Sequence, residues 1–241
     1  MTKTLYHGSR TILETPIPEK GNRHSDFGSG FYCTESLARA KEWACDDARG
    51  GFVNTYSLST EGLKILDLTA PPFGLLYWLA LLAEHRIFRL TTRDASQGRE
   101  YLRANFLPAP EEYDAIIGYR ADDSYFAFAQ DFLDNAITYK QLIQALSFGK
   151  SCEQFVLKSP KAFAALHYEY SDFVDGNTFF EMRKSRDVEM RSRYSEKRRE
   201  NDADAKKRYY SAARFALPDA DAVYLTDITR KEMWQGDERL R

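Results

Sequence analysis

A chain of 241 residues with a formal net charge of −2 has room for one sizeable core with an appendage, or for two small domains. Hydrophobic residues make up 43% and aromatic residues 14%, which is a globular composition, and the near-neutral charge gives no global reason to expect nucleic acid or a membrane as partner. The cysteines, Cys33, Cys45 and Cys152, are odd in number and lack paired spacing, so neither a disulfide framework nor a metal site is expected and a reducing, cytoplasmic compartment is.

The N-terminal residues Met1 to Tyr6 hold no apolar stretch and run straight into the first strand, Thr4 to Tyr6, so no cleavable signal is expected. That strand ends in Tyr6-His7-Gly8-Ser9, which sets a polar ring, a glycine that admits close approach to the backbone and a hydroxyl at one strand end. A polar loop over Arg10 to Phe27, with Pro16, Pro18 and Gly21, can line a ligand cleft. It leads into Asp26-Phe27-Gly28-Ser29-Gly30-Phe31-Tyr32, a glycine-flanked turn that delivers Tyr32. Ser36 to Ala48 reads as a helix, with Ser36 as cap and Leu37, Ala40, Trp43 and Ala44 on one face.

Strands are expected over Asn54 to Leu58 and Lys64 to Leu68. Phe73 to Leu82, introduced by Pro71-Pro72 and stopped by Glu84, His85 and Arg86, is too short to cross a bilayer; it reads as a buried helix, with a partner-docking surface as the alternative. A helix from about Ser96 to Phe106 ends before Pro108 and Pro110, and Asp114-Ala115-Ile116-Ile117-Gly118 reads as a buried strand. Asp122 and Asp123 stand where a helix over Ser124 to Leu133 begins, which makes them caps rather than metal ligands. Thr138 caps a further helix to Leu146, closed by Phe148-Gly149-Lys150. The strand Ser151-Cys152-Glu153-Gln154-Phe155-Val156-Leu157 follows, then a short helix or loop over Lys158 to Ala164, opened by Ser159-Pro160, and a strand over Leu166 to Tyr170. Short strands with interspersed helices are an α+β pattern.

The composition shifts near Glu181. Between Arg183 and Arg208 eleven basic residues face six acidic ones without glycine or proline, which reads as a long solvated helix laced with salt bridges; a surface for RNA, DNA or an acidic partner is the alternative. A helix over Tyr209 to Leu217 stops at Pro218, and Ala222 to Ile228 reads as a strand running into a short helix that packs back on the core. The shift divides the chain into a core over 1–180 and an extension over 181–241.

His7-Gly8-Ser9 followed by Gly28-Ser29-Gly30-Phe31-Tyr32 resembles the ADP-ribosyltransferase superfamily, in the branch of diphtheria toxin and the poly(ADP-ribose) polymerases, and within it bacterial proteins largely without an assigned function. The resemblance implies a split antiparallel sheet core over 1–180 that binds NAD as substrate. It implies that His7 bonds a ribose hydroxyl, that the backbone of Gly8 holds the nicotinamide amide, that Ser9 meets a nearby phosphate or ribose, and that Tyr32, after Gly30, stacks on nicotinamide with Trp43 on the other face. The family's third element is a strand glutamate that stabilises the ribosyl cation; Gln154-Phe155-Val156-Leu157 matches that strand, with glutamine in the glutamate's place. A neutral amide accepts a hydrogen bond but offers no full negative charge. Glu153 is adjacent, but successive strand residues point to opposite faces.

The activity the resemblance implies is mono-ADP-ribosylation of a protein or nucleic acid, and the same analogy implies a bacterial toxin or defence effector with an antitoxin or regulatory partner. The segment before the Gln154 strand, with Lys150, Ser151 and Tyr139, is where such a family meets its acceptor. Water as acceptor would make the chain a NAD glycohydrolase, and the glutamine admits a catalytically silent module that binds NAD or ADP-ribose.

Overall fold

The computed structural model describes residues 1–18, 21–121, 123–147, 153–210 and 224–229. The strands are β1 (Thr2–Ser9), β2 (Phe31–Cys33), β3 (Gly51–Ser59), β4 (Ile65–Asp67), β5 (Ala115–Tyr119), β6 (Glu153–Leu157) and β7 (Leu166–Val174). The helices are α1 (Leu37–Ala44), α2 (Leu75–His85), α3 (Arg93–Phe106), α4 (Asp123–Leu133), α5 (Tyr139–Ser147), α6 (Pro160–Ala164), α7 (Gly176–Tyr210) and α8 (Leu225–Thr229). The fold is α+β. It divides into two compact units, one of residues 1–87, 106–120 and 151–186, the other of the described parts of 88–105, 121–150 and 187–241. Segments 88–105 and 121–150, read from sequence as part of a 1–180 core, thus group with the C-terminal segment.

The first unit holds two sheets. One is antiparallel, in the order β1-β3-β7; the other runs β2-β6-β5-β4 and is antiparallel except for β4 beside β5. Tyr6 and Thr34 exchange two backbone hydrogen bonds, of 2.8 and 2.9 Å, and join the sheets along the edges of β1 and β2. Strand alternation sends Phe31, Cys33, Phe155 and Leu157 into a shared core with Leu5, Tyr56 and Leu58. The same alternation puts Tyr32, Gln154 and Val156 on the opposite face, since Tyr32 pairs with Val156 and Gln154 lies two residues along β6.

Helix α1 begins at Ser36, whose hydroxyl accepts from the Arg39 N–H, and lays Ala40 and Ala44 on Val53 of β3 and Val174 of β7. Helix α2 is buried over eight of its eleven residues, and its Trp78 indole donates to the Tyr119 carbonyl at 2.6 Å. No described helix is long and apolar enough to cross a membrane.

In the second unit, Tyr125, Phe128, Phe132 and Leu133 of α4 are buried, with Phe128 packed on Tyr194 of α7 at a ring distance of 4.1 Å. Asp131 accepts from the Tyr194 hydroxyl at 2.5 Å and from Arg198 at 3.0 Å. Helix α5 opens with a reciprocal cap: Gln141 N–H donates to the Thr138 hydroxyl, and Thr138 N–H to the Gln141 side chain. The expected charged helix is α7, whose Arg191–Asp187 and Arg193–Glu189 pairs stand one turn apart. The expected strand over Ala222 to Ile228 is corrected: Leu225–Thr229 is helical, started by the Tyr224 N–H on Asp227, with Leu225 buried and Thr226 N–H on the Asn135 side chain. Local side-chain acceptors hold that turn where its β-branched residues suggested a strand. Asp122, Phe148 to Cys152, 211–223 and the tail beyond Thr229 lie outside the described residues.

Candidate functional site

Of the residues singled out from sequence, His7 and Tyr32 are joined directly across the seam between the sheets. The His7 ring rests on Phe31 at 4.5 Å, and its Nδ1 lies 2.7 Å from the Tyr32 carbonyl oxygen. A carbonyl can only accept, so Nδ1 carries the hydrogen and Nε2 of the neutral ring is the acceptor. Burial lowers the His7 pKa below its usual value against the opposing pull of that carbonyl, which keeps the ring neutral. His7 Nε2 has no partner among the described residues.

Gly8 follows on the opposite face of β1, directly beneath α1. A Cβ there would stand 2.5 Å from the Ala44 nitrogen, 2.9 Å from the Trp43 carbonyl carbon, and closer still to the Ala40 oxygen. Only glycine lets the helix approach the strand so closely. Tyr6 turns its backbone groups toward Thr34, so Gly8, two residues on, turns its N–H and C=O to the same side, beyond the last bridge. The Ser9 hydroxyl is committed locally, donating to the Thr11 carbonyl at 2.6 Å and accepting from the Asn54 amide at 2.9 Å.

Tyr32 anchors the turn that precedes it. Its hydroxyl donates to the Gly28 carbonyl at 2.6 Å and accepts from the Phe27 N–H at 3.0 Å, and burial pushes its pKa well up. Gly28 has φ +72° and lies against the His85 ring, while Gly30 abuts Val156 and the Leu157 carbonyl. The Lys158 ammonium reaches across to the Phe27 and Ser29 carbonyls at 2.7 and 2.5 Å. Trp43 carries the Arg120 guanidinium 4.4 Å from its ring centroid, so one face of the indole already holds a cation.

Gln154 is 3% exposed. Its Nε2 donates to Asp26 Oδ2 at 3.0 Å and to the Tyr119 carbonyl at 3.3 Å, and Asp26, itself 5% exposed, takes Arg86 on its other oxygen at 2.8 Å. Glu153 points to the other face and is exposed. A cavity of about 420 Å³ opens beside Gln154, between the start of α1 at Thr34, Glu35 and Ser36 and the strand residues Ile117, Glu153 and Phe155. Asp26, Arg86 and Lys158 were missed as site residues from sequence. Asp26 stood within the quoted Asp-Phe-Gly segment, but Arg86 read only as the end of an apolar run, and nothing local linked either to Gln154.

A family model described as protein of unknown function (DUF3990) matches residues 3–168. The chain belongs to the DUF3990 family. Neither the curated proteins nor the solved structures gave a match. The matched span takes in every site residue from His7 to Gln154 and ends within β7. What these residues offer chemically is a neutral imidazole nitrogen at His7, a strand edge at Gly8 that is unpaired among the described residues, aromatic rings at Tyr32 and Trp43, and a fixed carboxamide at Gln154. Among the described residues no cluster of three or more His, Cys, Asp or Glu could hold a metal ion.

Proposed function

We propose that this DUF3990 chain is a mono-ADP-ribosyltransferase that takes NAD as its substrate. The observation that carries the reading is the hydrogen bond from His7 Nδ1 to the Tyr32 carbonyl, because it ties the His-Gly-Ser strand to the Gly-Phe-Tyr strand and leaves Nε2 to accept a ribose hydroxyl. The free edge at Gly8 supplies an N–H and a C=O suited to a carboxamide, which is the polar handle of nicotinamide. Tyr32 offers a ring face, and Trp43 does so on the side away from Arg120.

In the reaction the bond between nicotinamide nitrogen and ribose C1′ breaks with its electron pair leaving on the neutral nicotinamide. A nucleophile of the acceptor bonds C1′ and releases one proton. The transition state is a ribosyl cation, so a site of this kind works by orienting the glycosidic bond and placing acceptors around the sugar. Gln154 Oε1 is suited to the ribose hydroxyl. With water as nucleophile the same site is a NAD glycohydrolase, and the absence of a carboxylate at Gln154 favours, as a second reading, a module that binds NAD or ADP-ribose without turnover.

The test is transfer of label from adenylate-labelled NAD to macromolecules of a bacterial lysate by wild type, His7→Ala and Tyr32→Ala, with nicotinamide release followed in parallel. Transfer that falls at least about a hundredfold in His7→Ala supports the transferase. Nicotinamide without transfer makes it a hydrolase, and NAD binding with neither makes it the silent module. Failure to bind NAD or ADP-ribose at all sinks the reading.

A further inference from the structure

Asp26 and Tyr119 present only acceptors to Gln154, a carboxylate oxygen at 3.0 Å and a backbone carbonyl at 3.3 Å. Both must be met by N–H, so the amide has one orientation: Nε2 inward, Oε1 away from both. Oε1 accepts no hydrogen bond among the described residues. The Asp26 carboxylate is in turn held by Arg86 at 2.8 Å, and the loop that carries it is clamped by Lys158 and by the Tyr32 hydroxyl. A buried carboxylate with a charge-assisted bond to each oxygen is a fixed charge, and it polarises the amide it receives from.

We infer that Asp26, anchored by Arg86, is the positioning residue for Gln154: it fixes the carboxamide with its oxygen toward the ligand and supplies, one hydrogen bond behind it, the negative charge that the side chain at 154 lacks. The inference rests on the transferase reading for what the oxygen meets, and on the hydrogen bonds alone for how it is held. It makes a specific prediction about the obvious substitution. Gln154→Glu sets a second carboxylate against Asp26, and the pair must then share a proton. The charged and titratable groups around position 154 and its cavity are Asp26, Arg86, Glu35, Glu153 and the Tyr32 phenol, with Lys158, just past β6, reaching across to the loop that carries Asp26. Asp26→Asn together with Gln154→Glu reverses the donor and acceptor, with the new amide donating to the new carboxylate and still accepting from Arg86.

The experiment compares wild type, Asp26→Asn, Gln154→Glu and the double variant by melting temperature against pH and by kcat and KM for nicotinamide release from NAD. In Gln154→Glu the shared proton raises one folded-state carboxyl pKa, so its melting temperature falls further below wild type as pH rises past about 4.3. The double variant removes the carboxylate pair and melts above Gln154→Glu, though below wild type because the Tyr119 carbonyl loses its donor. Asp26→Asn lowers kcat about tenfold or more with KM changed less than about threefold, and the double variant recovers it. Melting effects that simply add across the cycle would overturn the pairing. An active wild type whose kcat is unmoved by Asp26→Asn overturns the positioning role while the transferase reading stands. Coupled melting effects with no turnover in any of the four proteins overturn the transferase reading and uphold the pair.

Discussion

At the scale of single residues, two features of the site follow from sterics and donor counting rather than from charge. Gly8 sits where α1 presses its backbone onto β1, so Gly8→Ala forces the helix outward whatever its effect on ligand. It is expected to lower stability by about 2 kcal/mol or more, read as a shift in the urea midpoint with the slope unchanged. A midpoint within error of wild type would mean that the helix yields freely. Sequence reading singled out the glycine as a place where a ligand could near the backbone; the tertiary contact gives it a packing duty. Ser9 shows the converse, since its hydroxyl already donates to Thr11 and accepts from Asn54. The ligand-facing part assigned to it from motif alone has a local alternative that no linear pattern shows.

At the scale of elements, capping chemistry was read correctly where a side chain and its N–H lie within one turn. Ser36 and Thr138 each accept from the backbone three residues on, as read, and Ser159, not read as a cap, does the same. Thr138→Ala removes one half of the reciprocal cap with Gln141 and is expected to cost about 1 kcal/mol, measured by thermal or chemical unfolding. Gln141→Ala should remove part of the same energy, so the double variant should cost less than the sum; full additivity would argue against the paired cap. The segment Leu225–Thr229 was misread because β-branched composition outweighed a weak local signal, the Asp227 acceptor three residues after Tyr224. The β4–β5 pair is parallel, and nothing within either three-residue or five-residue strand could have told its direction, which depends on how the intervening chain returns.

At the scale of the whole molecule, buried histidines tie stability to pH. Burial depresses both His7 and His85, the latter with further repulsion from Lys158, so the unfolded chain takes up protons near the ordinary value of 6.5 while the folded chain does not. Stability is therefore full above 6.5 and falls as pH drops below it, until the lowered folded values are reached. The melting temperature should be lower at about pH 5.5 than at about 7.5, and His7→Gln with His85→Gln should flatten that slope. An unchanged slope would place the acid sensitivity elsewhere. By itself the sequence determined the α+β class and most helices and strands to within a few residues, because periodicity, caps and turn glycines act over a few positions. Only the tertiary structure decided that 88–105 and 121–150 group with the C-terminal segment, that one His7 nitrogen is spent on Tyr32, and that Gln154 is held by Asp26 and Arg86. Those contacts span 25 to 128 positions of chain, and a hydrogen bond across that separation leaves no mark on the residues beside it.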